Sequence, residues 1–134
     1  MSAGYSSTPL YKKLGIKEGF KIKLINPPAN YNSLLGAIVK QITITTKKEQ
    51  VNFIHLFTNS IKELESKLPV LKNEIEKDGM IWVSWYKKSA KKPTELDENI
   101  VRDTALALGL VDVKVCAVDD EWSGLKLVYR LKDR

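Results

Sequence analysis

The chain has 134 residues, 43% of them apolar and 28% charged, which fits one globular domain and excludes disorder of the whole chain. Its 22 Lys and Arg exceed its 16 Asp and Glu for a net charge of +6, and the excess lies in residues 1–60, where eight Lys face two Glu. One Cys and one His exclude an intrachain disulfide and leave too few ligands for a zinc site; no apolar run approaches the ~18 residues of a membrane helix.

Residues 1–8 are small and polar and read as an arm, without the hydrophobic core of a secretion signal, so a cytoplasmic protein with no membrane partner is expected. Thr8 and Pro9 read as the N-cap and first residue of a short helix through Leu14, closed by Gly15. This arm and helix, residues 1–14, precede one domain over residues 15–134. Lys12, Lys13, Lys17, Lys21 and Lys23 cluster here, either as a surface for phosphates or nucleic acid or as a solvated face. Phe20–Asn26 alternates like a strand and is halted by Pro27 and Pro28. Leu34, Leu35 and Ile38 predict a helix over Tyr31–Val39. Gln41–Thr46 alternates again and reads as an edge strand guarded by Lys47 and Lys48. Val51–Phe57 is almost continuously apolar, as in the interior of a parallel sheet, and His55 within it reads as a core histidine.

Ser60 and Glu63 form a capping box that opens a helix along Ile61, Leu64, Leu68, Leu71 and Ile75. Pro69 predicts a kink or restart near Leu68, and Asp78 and Gly79 an end. Met80–Trp85 is another buried strand, and Lys87–Pro93 a basic loop. Thr94 is expected to cap a helix from Glu95 to Leu108, with acids in the first turn where the dipole favours them, closed by Gly109. Val111–Val118 and Leu125–Leu131 are the last strands, a hairpin joined through Asp119–Gly124, and Cys116 reads as a small buried apolar residue.

This alternation predicts an α/β fold: a single Rossmann-like domain whose mostly parallel sheet of about six strands has helices on both faces and a C-terminal antiparallel hairpin. The loops leaving the strand carboxyl ends then share one edge, where ligands bind. Four loops are expected there: Asn26–Tyr31, Thr58–Ser60, Tyr86–Pro93 and Asp119–Gly124.

The series resembles a class I methyltransferase: a helix, the Gly19-containing lead into the first strand, a late helix with Pro69, Asp78 and Gly79 before a strand, then Leu108, Gly109 and Leu110 before a strand, hairpin and strand. The resemblance implies a truncated methyltransferase-like fold across nearly the whole chain, not the activity. Where those enzymes have a glycine-rich loop after the first strand, this chain has Asn26–Asn30 with no glycine; where they place an acid after the second, it has Thr45–Lys48. Asn26, Pro27 and Pro28 are similar to the Asn-Pro-Pro-aromatic motif of amino-group methyltransferases, but they follow the wrong strand and Tyr31 stands too far beyond them. At the level of stretches, Gly4–Gly19, Ile81–Lys88 and Gly109–Lys126 resemble an uncharacterised bacterial domain-of-unknown-function family, which implies no activity, ligand or catalytic residue.

The shared edge gathers groups suited to an anionic ligand. Lys87 and Lys88 supply charge, while Asn59 and Ser60 open a helix whose free N–H groups favour a phosphate or carboxylate. Tyr31 and Trp122 offer rings for stacking, and Asn26 and Ser123 hydrogen bonds. Equally, Ser60 and Thr94 are plain caps, Trp85 or Trp122 plugs the end of the core, and the lysines are solvated. Asp119, Asp120 and Glu121 are expected to pair with Lys87 and Lys88 rather than share a metal. No nucleophile–base pair is legible, so no catalytic residue, metal or cofactor is predicted. The expected function is a non-catalytic binding domain for an anionic small molecule or a protein partner. The alternatives are a divergent methyltransferase-like enzyme and a nucleic-acid-associated protein that uses the basic N-terminal half without a recognisable motif.

Overall fold

Val51–Phe57 forms β3 at the centre of the sheet in a computed structural model that describes residues 8–134. Five of its seven residues are apolar and buried, so it needs cover on both faces. On one side lie β1, Lys21–Ile25, and the two-residue edge strand β2, Thr43–Ile44, all parallel. On the other lies β4, Ile75–Tyr86, also parallel, then β6, Trp122–Tyr129, and the outer strand β5, Leu110–Ala117. β6 runs antiparallel to both neighbours, giving the order β2-β1-β3-β4-β6-β5. This is the expected mostly parallel α/β sheet of six strands with a C-terminal antiparallel hairpin.

One face carries Phe53, His55, Phe57, Trp82 and Trp122, covered by α1, Leu10–Leu14, α2, Tyr31–Leu35, and a 3-10 helix over Gly36–Gln41. The other carries Ile54, Leu56, Ile81, Val83 and Leu125 beneath α3, Ile61–Glu74, and α4, Glu98–Ala107. The Trp82 indole N–H donates to the Leu14 carbonyl at 2.8 Å and Leu14 is fully buried, so α1 belongs to the same core as the rest. Pro9 is the N-cap of α1 rather than its first residue, and Gly15 ends it at φ 85° in the left-handed region. The arm expected over residues 1–8 lies, for residues 1–7, outside the described residues.

Three of the expected boundaries that move do so for a tertiary reason. α3 passes through Pro69 without a restart and stops at Glu74, not at Asp78. Ile75 is already extended, is 3% exposed and pairs with Val51, so burying its side chain in the sheet overrides the helical spacing. A bulge then returns Met80 opposite Phe53; it needs a glycine at 79, because a Cβ there would lie 2.7 Å from the Asn52 carbonyl oxygen. α4 begins at Glu98, capped by Asp97, whose carboxylate accepts the Ile100 N–H at 2.9 Å; Thr94 instead accepts the Leu96 N–H in a local turn. β6 begins at Trp122, earlier than expected, because Asp119 Oδ1 accepts the N–H groups of both Glu121 and Trp122 and tightens the turn.

Candidate functional site

The carboxyl ends of β1, β3, β4 and β5 share one edge, and the four loops expected there do meet. Asn26, at φ 56°, turns its amide back to donate to the Phe57 carbonyl at 3.2 Å and to the Glu63 carboxylate at 3.3 Å. Asn59 Oδ1 accepts the Tyr86 N–H at 2.8 Å, and its carbonyl accepts the Glu95 N–H at 2.9 Å, joining the loops after β3 and β4. Lys87 N–H donates to the Glu121 carbonyl at 2.8 Å, tying the β4 loop to the hairpin.

The sheet divides this edge into a filled half and an open half. On the α1–α2 side, Tyr31 is 2% and Trp122 9% exposed. Trp122 packs edge-on against Phe57 at 4.9 Å and tilted against Tyr86 at 4.4 Å between ring centres. Neither ring is available to stack on a ligand, which corrects that expectation: both complete the core. Asn59 and Ser60 are likewise occupied, because Ser60 Oγ accepts the Glu63 N–H at 3.1 Å while its own N–H donates to Thr58 Oγ1 at 3.2 Å. Glu63 does not close the capping box; its carboxylate receives Asn26.

On the α3–α4 side the edge opens into a cleft of about 690 Å³ lined by Trp85, Lys87, Lys88, Thr94, Leu96 and Ser123, among others. Its buried floor is apolar: Trp85 is 6% and Leu96 4% exposed. The cleft also holds three carboxylates, each already engaged. Glu95 accepts the Ile61 N–H at 2.8 Å, satisfying a free donor at the start of α3; Asp97 caps α4; Glu98 pairs with Arg102. Lys87 and Lys88 have no ion-pair partner among the described residues. The acidic hairpin does not take them as expected, since Glu121 pairs with Lys92 at 2.6 Å, and that hydrogen bond, above all, raises the Lys92 ammonium. The uncommitted charge in the cleft is therefore cationic, with the Ser123 and Thr94 hydroxyls beside it.

Of the residues named from sequence, the cleft unites Lys87, Lys88 and Ser123, and leaves out Asn26, Tyr31, Asn59, Ser60 and Trp122. The irregular segment 94–97 that forms its wall is not legible in the helical spacing of the sequence, which places Glu95, Leu96 and Asp97 inside a helix. The signal was present in Asp97, a second cap ahead of the apolar residues Ile100 and Val101.

No sequence-family model matches this chain, and no curated protein matches it. Its backbone is similar to that of magnesium protoporphyrin IX methyltransferase (ChlM) from Synechocystis, solved with bound SAM: TM-score 0.63, 9% identity, 90% of this chain and 74% of that one. It is similar at TM-score 0.62 and 16% identity to a Sulfolobus solfataricus protein assigned to the type 11 methyltransferases, over 90% of this chain and 89% of that one. A TehB-like SAM-dependent methyltransferase from Corynebacterium glutamicum matches at TM-score 0.57 and 9% identity, over 96% and 91%. The fold is that of the methyltransferase-like Rossmann class, and at these identities the likeness concerns the fold alone.

Proposed function

We propose that this chain is a non-catalytic binding domain of methyltransferase-like fold that takes a small anionic ligand into the cleft between the β4 loop and segment 94–97. One observation carries the reading: Lys87 and Lys88 are the cations without acidic partners in an open cleft whose own carboxylates are committed to backbone and arginine. The ammonium groups neutralise a phosphate or carboxylate, Ser123 and Thr94 donate hydrogen bonds, and Trp85 and Leu96 face an apolar portion of the ligand. Membership of the uncharacterised family that Gly4–Gly19, Ile81–Lys88 and Gly109–Lys126 resemble belongs to the same proposal and brings no activity with it.

The fold also favours a second reading, a divergent methyltransferase, but the residues present do not fit adenosylmethionine. The loop after β1 has two prolines and no glycine to let backbone approach a ligand, and Tyr31 and Trp122 fill the edge beside it. After β2, Thr45 and Lys21 both hold Glu49, the nearest acid.

Thermal unfolding with a panel of nucleotides, tripolyphosphate, dicarboxylates and adenosylmethionine tests the proposal. An anion at about 100 Kd should stabilise the fold by about 2.7 kcal/mol, and Lys87→Ala/Lys88→Ala should abolish that gain. No shift across the panel, or the same shift in the double variant, would sink it; a shift confined to adenosylmethionine would favour the enzyme reading.

A further inference from the structure

The N-terminal lysines do not act as one cluster. Lys21 is paired with Glu49 at 2.6 Å and Lys23 with Glu74 at 2.7 Å, which removes both from any basic surface. Lys13 and Lys17, by contrast, flank Gly15 at the end of α1, where the chain meets its own C-terminal strands. A Cβ at Gly15 would lie 3.8 Å from Lys126 Nζ. Across the last strand pair Lys114 stands directly opposite Lys126, on the face that also carries Cys116 and Gly124. Arg134 folds back on β6, its Nε–H donating to the Tyr129 carbonyl at 3.0 Å.

None of Lys13, Lys17, Lys114, Lys126 and Arg134 has an ion-pair partner among the described residues. Partial burial holds the Lys126 ammonium below the usual lysine range, and the charges of Lys114, Arg134 and Lys17 add to the effect. Like charges directly opposite on a sheet destabilise it, so this arrangement has a cost that no internal carboxylate offsets.

We propose that this sheet face binds the sugar–phosphate backbone of nucleic acid, without reading its sequence. Lysine ammonium groups are point charges that hold phosphates, and a contact to phosphate carries no sequence information. Cations spread over the end of α1, two strands and the C-terminus suit several phosphates in series better than one anion. A carboxylate surface would pair such lysines one by one, as Glu49, Glu74 and Glu121 do elsewhere in this chain, whereas a phosphate backbone repeats its charge along the whole row of five. The site lies on the face opposite the cleft and stands independently of the ligand proposed there.

Fluorescence anisotropy of a labelled mixed-sequence single-stranded oligonucleotide with the full chain tests this. With about five phosphates contacted, affinity should fall about 100-fold between about 50 and about 200 mM salt. Lys114→Ala/Lys126→Ala should weaken binding at low salt at least about tenfold and flatten the salt slope by about 1.4, with no loss of thermal stability, because it removes a like-charge pair. Lys13→Ala/Lys17→Ala should weaken binding in the same way from the other side of the patch. Lys62→Ala/Lys67→Ala on α3 removes the same charge from the opposite face and should leave binding unchanged. The proposal is overturned by absence of binding at low salt, by equal losses in the α3 and sheet-face variants, or by tighter binding to polyglutamate or anionic vesicles than to the oligonucleotide.

Discussion

The Tyr31 hydroxyl lies 2.8 Å from Nδ1 of His55, and Ser84 Oγ lies 2.7 Å from Nε2 of the same ring. A neutral imidazole donates through one nitrogen and accepts through the other, so this buried chain is satisfied without any charge. His55 also stacks on Phe57 at 4.2 Å between ring centres and is fully buried. Burial alone pushes its imidazole down to about 3 from about 6.5, and pushes the Tyr31 hydroxyl up.

The unfolded chain therefore binds a proton at His55 in the window from about 6.5 down to about 3, where the folded chain does not. Stability is full above that window and falls as pH is lowered through it, with a slope approaching about 1.4 kcal/mol per pH unit from this one group. Urea unfolding at stepped pH measures it. His55→Gln should lose that slope while lowering stability near neutral pH; an unchanged acid slope in the variant would assign the effect to other groups.

Lys23 and Glu74 make the most enclosed ion pair described, with side chains only 10% and 19% exposed. It fastens the end of α3 to β1. Glu74→Ala leaves a largely buried ammonium unpaired and should cost about 3 kcal/mol, whereas Lys23→Met with Glu74→Leu should recover most of that loss. A double-mutant cycle by chemical denaturation checks both, and a loss below about 1 kcal/mol for Glu74→Ala would mean that water reaches the pair.

The parts legible in the sequence were those decided locally. β3 is legible at its observed limits because a seven-residue run rich in β-branched and aromatic residues suits a buried strand, and Ser60 is legible as a cap because its bond to the Glu63 N–H spans three residues. What escaped was decided across the fold. Nothing near Ile75 announces that Val51 will draw it into the sheet, and nothing near Tyr31 that His55 will receive its hydroxyl. The edge was legible, but not which half of it would be filled. Lys87, Lys88 and Ser123 stand out in the sequence by chemistry alone, and so do Tyr31 and Trp122, whose rings the core takes up.

Gly79 sits in the β4 bulge where an added Cβ would meet the Asn52 carbonyl oxygen at 2.7 Å and Ile75 Cγ1 at 2.8 Å. The first neighbour is backbone and cannot rotate aside, so Gly79→Ala must shift β3 relative to β4. A loss of about 2 kcal/mol or more is expected in equilibrium unfolding. Gly19→Ala provides the contrast: among the described residues nothing beyond its chain neighbours stands within 4 Å, and the strain of φ 84° opposes it, so a loss nearer about 1 kcal/mol should follow.

Trp122 and Ser123 are neighbours in β6, and the alternation of a strand sends them to opposite faces, one into the filled half of the edge and the other into the cleft. Their substitutions should therefore separate stability from binding. Trp122→Ala removes a ring packed on Phe57 and Tyr86 and should cost about 3–5 kcal/mol, yet leave the increment of stabilisation by a cleft ligand unchanged at a temperature where the variant is folded. Ser123→Ala should keep stability within about 0.5 kcal/mol and weaken the ligand by about 0.5–1.5 kcal/mol, the worth of one hydrogen bond. Isothermal titration beside thermal unfolding measures both quantities. If Trp122→Ala abolished binding while Ser123→Ala left it intact, the ligand would lie on the α1–α2 side, and the assignment of the cleft would be reversed.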